Sequence, residues 1–217
     1  MMRILLLLVA SVVATTFLEE TAVAQGKLVG TYGEARTLLA FQIPEATVRQ
    51  LLPEGWEASP FAAGPSRGAN LLVNFMDWVS VLGPDGKPEG TYRSVGFTIP
   101  AKQAGTDKTV SMSIMGLAAP ADYAPGPYWN SLGATAVVSR TVPMDSDGIA
   151  RSDESWAFDE GSGESVGLHI QFQRGITAMT KGESIVHSNV KPDFYRIYKT
   201  EQAVDVVRSQ PGGVDRV

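Results

Sequence analysis

The chain has 217 residues, with 18 Lys and Arg against 23 Asp and Glu, for a formal charge of −5. Charge of that balance, scattered along the chain, gives no electrostatic footprint for a phosphate backbone, which excludes nucleic acid as a partner. The absence of cysteine excludes disulfides, thiol nucleophiles and thiolate metal sites, so buried apolar surface must hold the fold, and His169 and His187 are the only imidazoles on offer.

Arg3 precedes an apolar run from Ile4 to Ala10 that continues through Val12 and Val13, and Ala22 to Ala24 read Ala-Val-Ala before Gln25. This is the succession of a secretory signal, so residues 1–24 are expected to be removed and residues 25–217 to form one exported domain, periplasmic or secreted. The run is too short to cross a hydrocarbon core of about 30 Å as a helix, and no membrane partner is expected after cleavage.

Strand signals dominate the rest of the chain. "RTLLAFQI" (Arg36 to Ile43) is apolar, and "NLLVNFMDWVSVL" (Asn70 to Leu82) runs into "GPDGKPEG", whose Gly, Pro and Asp residues spell a hairpin loop. "TYRSVGFTIPA" (Thr91 to Ala101) comes next, and Val110, Met112 and Ile114 then alternate with serines at the period of a half-buried strand. Further strands are expected over Ala134 to Met144, after a "DSDG" turn from Ala150 to Asp159, and from Ser165, where Val166, Leu168, Ile170 and Phe172 share one face. Two helices are expected. "PEATVRQLLPEGW" has Pro44 for a first turn, Glu45 near the positive dipole end and Pro53 as a stop. "TEQAVDVVRSQ" starts at a Thr200 cap with Ala203, Val204 and Val207 on one face.

The order of these pieces resembles the acetoacetate decarboxylase family: an Arg-led strand, a short helix running into "LLPEGWEASP", an apolar strand, a hairpin, "TYRSVGFTIPA", a second strand and the segment "YAPGPYWNSLGA" (Tyr123 to Ala134). The resemblance implies a mainly β fold, a closed or partly closed antiparallel β-barrel with a few short helices outside and a small apolar pocket within. In that family a pocket lysine forms a Schiff base with a β-keto acid. Arg36 matches the pocket arginine, which can meet a carboxylate as a fork. Tyr92 and Gly96 match a Tyr-x-Glu-x-Gly strand, but Ser94 stands where the glutamate belongs, and the other pocket acid falls near Asn74 or Phe75. Gly133 and Ala134 stand where two lysines belong, and no lysine lies between Lys108 and Lys181.

Without that amine the expected activity is not Schiff-base decarboxylation. Lys102 and Lys108 belong to the hydrophilic loop "AKQAGTDK", where an ammonium stays protonated. The expected ligand-binding residues are Arg36 as charged anchor, Asn74, Ser94 and Asn130 as polar contacts, and Tyr128 and Trp129 at the rim; Trp56, Trp78 and Trp156 are expected in the core or barrel wall. His169 alternates with apolar residues on a strand, and no Gly-x-Ser-x-Gly elbow accompanies it. "DSDG" reads as a hairpin turn, so no metal and no cofactor are expected. The leading expectation is a binder of a small apolar ligand with a carbonyl or carboxylate. A lysine-independent lyase on a small oxo acid, with a tyrosine or His169 moving the proton, and a β-rich interaction module are the alternatives. Catalysis and homo-oligomer formation are left open.

Overall fold

The computed structural model describes residues 26–144, 146 and 150–205. The expected signal over 1–24, turn residues Asp145, Asp147 and Gly148, and the end of the expected C-terminal helix lie outside the described residues.

A larger sheet runs in the order β1 (Thr31–Phe41), β3 (Leu71–Leu82), β4 (Pro88–Gln103), β5 (Val110–Ala119), β10 (Ala178–Ser188) and β11 (Tyr195–Val204). Short strands β2 (Trp56–Ala58) and β6 (Ser131–Gly133) join it on β4 and β5. A second sheet holds β7 (Thr135–Thr141), β8 (Arg151–Asp159) and β9 (Ser165–Gln173). Pairing is antiparallel except where β5 meets β10 and β6. The fold is thus mainly β, with α1 (Glu45–Leu51) and a 3-10 turn over Ala121–Tyr123 as its helical pieces among the described residues. The expected hairpin loop joins β3 to β4: Gly86 takes φ 77°, and the Asp85 carboxylate accepts the Lys87 amide at 3.2 Å.

Side chains directly opposite in a ladder share a face, so the registers sort the larger sheet into two surfaces. Val73, Phe75, Val95 and Leu117 lie on one, packed with Leu39, Phe41 and Phe97 against Trp156, Phe158, Ala136, Val138, Val166 and Leu168 of the second sheet. This is the main core, and it explains the clean period-two pattern of β9, half-buried on one side only. A second cluster lies beside it, where Val48 of α1 packs on Ile99, Ala101 and Met112. Pro44 precedes α1 as its N-cap rather than occupying the first helical position.

The opposite surface of the same sheet mixes aromatic, apolar and charged side chains. Glu34 faces Trp78 and then Tyr92, Arg36 faces Met76 and then Ser94, and Leu38 faces Asn74 and then Gly96. β11 adds Arg196, Tyr198 and Thr200 to this surface, all half-buried, while Tyr195, Ile197 and Lys199 point away. The Tyr128 hydroxyl, from the segment that follows β5, reaches the Tyr198 hydroxyl of β11 at 2.7 Å, so that segment and β11 together border this surface, called below the concave face.

The C-terminal helix expected from Thr200 is corrected by this arrangement. Thr200, Glu201, Gln202, Ala203 and Val204 continue β11 and pair with Gly182, Lys181, Thr180, Met179 and Ala178 of β10. Spacing of Ala203, Val204 and Val207 fits either period over so short a run, and the ladder offered by β10 decides it. Lys181 and Glu201, cross-strand neighbours 3.0 Å apart, add an exposed ion pair.

Candidate functional site

Four aromatic rings line one end of the concave face. Tyr32 meets Trp78 edge-on with centroids 5.4 Å apart, Trp78 stacks on Tyr92 at 5.1 Å, and Tyr92 stacks on Tyr123 at 4.4 Å. Trp78 and Tyr92 share a row as ladder partners with Glu34, Tyr32 stands two residues before Glu34 on the same strand, and Tyr123 is delivered by the 3-10 turn. The Trp78 indole N–H donates to Ser94 Oγ at 2.9 Å, so Ser94 orients the indole from the next row. Trp78 is buried, as expected of a core or wall residue, and its indole N–H faces this surface.

Charged groups occupy the next row. Arg36 is ion-paired with Glu34, whose other carboxylate oxygen is buried without a hydrogen-bond partner among the described residues. A buried acceptor left open is costly, and it is available to a donor brought by a ligand. Asn74 is 8 % exposed and likewise finds no hydrogen-bond partner among the described residues. Opposite them, the Tyr128 hydroxyl donates to the Tyr198 hydroxyl at 2.7 Å. Burial is the main cause that raises Tyr92, Tyr128 and Tyr198 above the ordinary tyrosine range. The Arg196 guanidinium is close enough to all three to work against that rise.

These shifts give a pH signature. A phenol whose folded pKa is raised contributes its full stability below the unfolded value of about 10, and that contribution is lost as pH climbs from there toward the folded pKa. Stability should therefore fall above pH ~10 by up to about 1.4 kcal/mol per pH unit for each such tyrosine. Urea midpoints from about pH 9 to about pH 11, on either side of the ordinary tyrosine pKa, read beside tyrosinate absorbance, check this. The Tyr128→Phe variant should show a shallower decline, and an unchanged slope would mean that Tyr128 ionises freely in the folded state.

The segment from Tyr123 to Ala134 divides its side chains. Tyr128 is 9 % exposed and turns onto the concave face, its carbonyl held by the Ser188 hydroxyl at 2.6 Å. Trp129, in the left-handed region at φ 57°, is directed away from it. Its ring lies under Lys191 Nζ at 3.7 Å and against Phe194 at 4.6 Å. Asn130 donates to the Ser113 carbonyl at 2.9 Å and to Asn189 Oδ1 at 3.0 Å, which ties the loop to β5 and to the β10–β11 connection. At Gly133 a Cβ would fall 2.7 Å from Ala121 Cβ and 2.8 Å from the Ala121 carbonyl oxygen, and Ala134 is buried in the main core.

Of the residues expected from sequence, the structure brings Arg36, Asn74, Ser94 and Tyr128 to one face. Trp129 and Asn130 lie beside it with their polar or ring surfaces engaged by protein. Glu34, Tyr32, Arg196 and Tyr198 escaped the sequence reading. The first two precede the apolar stretch that begins at Arg36, but Arg196 and Tyr198 alternate with Tyr195 and Ile197, a period-two signal available in "YRIYK". His169 is on the second sheet, exposed and 3.0 Å from Asp153, remote from this face. Lys102 lies 3.9 Å from Glu57 of the edge strand β2.

Two surface cavities can be described, one of which borders this face at Tyr92. One of about 590 Å³ reaches Tyr92, Arg93, Asp77 and Gly133, and one of about 390 Å³ is walled by Trp56, His187 and Tyr195. Neither is lined by Arg36, Arg196 or Tyr198, and it is the convergence of charged and hydroxyl groups that marks the concave face.

No family model matches the chain, and no curated protein matches it. Solved structures do. The enduracididine biosynthesis enzyme MppR complexed with pyruvate superposes with a TM-score of 0.53 at 12% identity, over 82% of this chain and 72% of that one. An acetoacetate decarboxylase-like enzyme from Sphingomonas wittichii RW1 gives 0.42 at 8% identity, over 83% and 88%. Acetoacetate decarboxylase from Legionella pneumophila gives 0.40 at 13% identity, over 89% and 77%. At 12% identity the likeness to MppR is one of fold alone.

Proposed function

We propose that this is an exported protein whose concave face binds a small ligand with a carboxylate or carbonyl, anchored by Arg36 and without Schiff-base chemistry. The observation that carries the reading is that Arg36, exposed, and Glu34, Tyr92 and the Tyr128–Tyr198 pair, half-buried or buried, share one surface. A guanidinium fork suits a carboxylate, and neutral buried phenols suit a carbonyl oxygen. Asn74 supplies a further amide, while Ser94 acts through Trp78 and Asn130 through the loop it holds. The loss of the amine rests on the sequence, which has no lysine from 109 to 180, and on the crowding at Gly133. A protein of this fold was solved with pyruvate, which makes small oxo acids the first ligands to try.

The test uses protein recovered from the exported fraction, with Gln25 at its N-terminus, and a thermal-shift series with acetate, pyruvate and acetone. Ligand at about 100 times its Kd adds about 2.7 kcal/mol by mass action. For a domain of this size that is a rise in Tm on the order of 5–10 °C. Pyruvate should produce such a rise in the wild type and little in the folded Arg36→Ala variant. Equal rises in both would remove Arg36 from the site.

A further inference from the structure

The cavity of about 390 Å³ lies on the side of β11 that Tyr195 and Ile197 face, away from the concave surface, and one hydrogen bond decides its chemistry. His187 Nδ1 is 2.7 Å from the Pro192 carbonyl oxygen, which can only accept, so Nδ1 carries the proton. In the neutral ring Nε2 is then an acceptor, and no described residue donates to it. Two rings hold the imidazole: Tyr195 stacks on it at 5.1 Å, and Trp56 lies at 4.8 Å. The indole N–H of half-buried Trp56 also finds no acceptor among the described residues. One end of the cavity therefore presents an open donor and an open acceptor on neighbouring rings. Val110, Ile185 and Ile197 line its apolar middle, the last two as ladder partners. Lys108 and Glu183 line the other end. Counting back three residues from the parallel pair Val186–Ser111 sets them side by side, and Lys199 stands opposite Glu183 on β11. None of these three is ion-paired among the described residues, so two ammonium groups meet one carboxylate.

We propose that this cavity is a second small-molecule site, which takes a hydroxyaryl carboxylate whose hydroxyl donates to His187 Nε2 and accepts from the Trp56 indole N–H. A hydroxyl does both with one oxygen, whereas a carbonyl would leave Nε2 unanswered and an ammonium would leave the indole unanswered. A flat ring suits the apolar middle and the aromatic walls. The carboxylate answers the excess positive charge beside Lys108. Length agrees with this order of groups: His187 and Glu183 are four residues apart on β10, or about 13 Å along a strand. A phenol with a short acid chain, plus a hydrogen bond at each end, covers that span. The cavity shares no lining residue with the concave face, so this site stands or falls independently of Arg36.

Isothermal titration with para-hydroxyphenylpropanoate, phenylpropanoate and tyramine is run on wild type, His187→Asn, Trp56→Phe and Lys108→Gln, each first shown to be folded by its melting curve without ligand. The wild type should bind the hydroxylated acid most tightly, with phenylpropanoate weaker on the order of 10-fold for two lost hydrogen bonds. His187→Asn keeps a donor for the Pro192 carbonyl but removes Nε2, and it should erase most of that difference. Trp56→Phe keeps a ring and should narrow it to about 3-fold. Lys108→Gln should weaken both acids about 2- to 5-fold and leave their ratio unchanged, because Lys108 is exposed. Phenylpropanoate binding the wild type as tightly as its hydroxylated form overturns the hydroxyl bridge, even if the His187 and Trp56 variants do not fold. Tyramine binding as tightly as the hydroxylated acid overturns the carboxylate assignment. Loss of binding in Arg36→Ala but not in His187→Asn would put the compound on the concave face and overturn the second site. Absence of binding of the hydroxylated acid to the wild type overturns the proposal outright.

Discussion

Trp156→Ala should lower the stability of the folded chain by about 3–5 kcal/mol, the range for deleting a large buried aromatic. Trp156 is 2 % exposed at the centre of the contact between the two sheets, with its ring 5.7 Å from that of Phe75 and the Arg140 guanidinium 5.3 Å from its centroid. It also covers a buried acid. Glu154 is 6 % exposed and takes hydrogen bonds from the Trp156 indole at 3.3 Å and from the Thr37 hydroxyl of β1 at 2.7 Å, with Arg140 at 3.1 Å on its other oxygen. Truncation therefore opens a void and strips one donor and the ring that shields the ion pair, two costs in one position. Since whole domains are stable by only about 5–15 kcal/mol, the variant should sit close to its unfolding threshold. Urea unfolding measures the loss, and Trp156→Phe should recover the packing but not the indole hydrogen bond. A loss under about 1 kcal/mol would mean that the second sheet is held by something other than this core.

Most of that core was legible in the sequence, because it uses the simplest rule of strands. Val166, Leu168, Ile170 and Phe172 alternate with polar residues, and the structure places them on the side of β9 that faces the other sheet or its margin. β3 reads differently, as a nearly unbroken apolar run, because both of its faces are covered, by the main core on one side and by Trp78 and its aromatic neighbours on the other. β10 and β11 were not legible in the same way. The first half of β10 is exposed on both sides, and on β11 the polar residues face inward while Tyr195 and Ile197 face out. An inverted pattern of that kind carries the signature of a site rather than of a core, and it defeats any reading in which apolar means inside. Arg36 and Tyr128 were accessible because the family resemblance pointed at their segments. Glu34 depends on the β1–β3 register and Tyr198 on its hydrogen bond with Tyr128, and contacts between residues that far apart leave no local mark in the sequence.

The same geometry makes the turn at Gly133 a severe test. Gly133→Lys should cost about 3 kcal/mol or more, at or beyond the upper end for forcing atoms into a packed site. Strand β6 is hydrogen-bonded beside β5, with Gly133 opposite Ala118 and the Ala134 amide donating to the Ala118 carbonyl at 2.8 Å. From the other side the 3-10 turn puts the Ala121 Cβ and carbonyl oxygen 2.7 and 2.8 Å from where a Cβ would begin. Backbone hems the position in, so a flexible side chain cannot swing away to relieve the clash. Gly133→Ala should therefore incur most of the same loss, which separates crowding at Cβ from the burial of an ammonium. The neighbouring Ala134, 4 % exposed in the main core, would bury a lysine in an apolar cluster, where the charged form is strongly disfavoured. Gly133 has no room for a Cβ, and Ala134 is buried in the main core. Borohydride reduction in the presence of pyruvate should thus trap no adduct on either lysine variant in its folded state. A Gly133→Lys protein that melts within about 2 °C of wild type, a change worth under about 1 kcal/mol, would show instead that β6 can move aside. If the loss is as large as expected, the turn is built to deliver Tyr128, and placing an amine at position 133 would require displacing the 3-10 turn and β6 together.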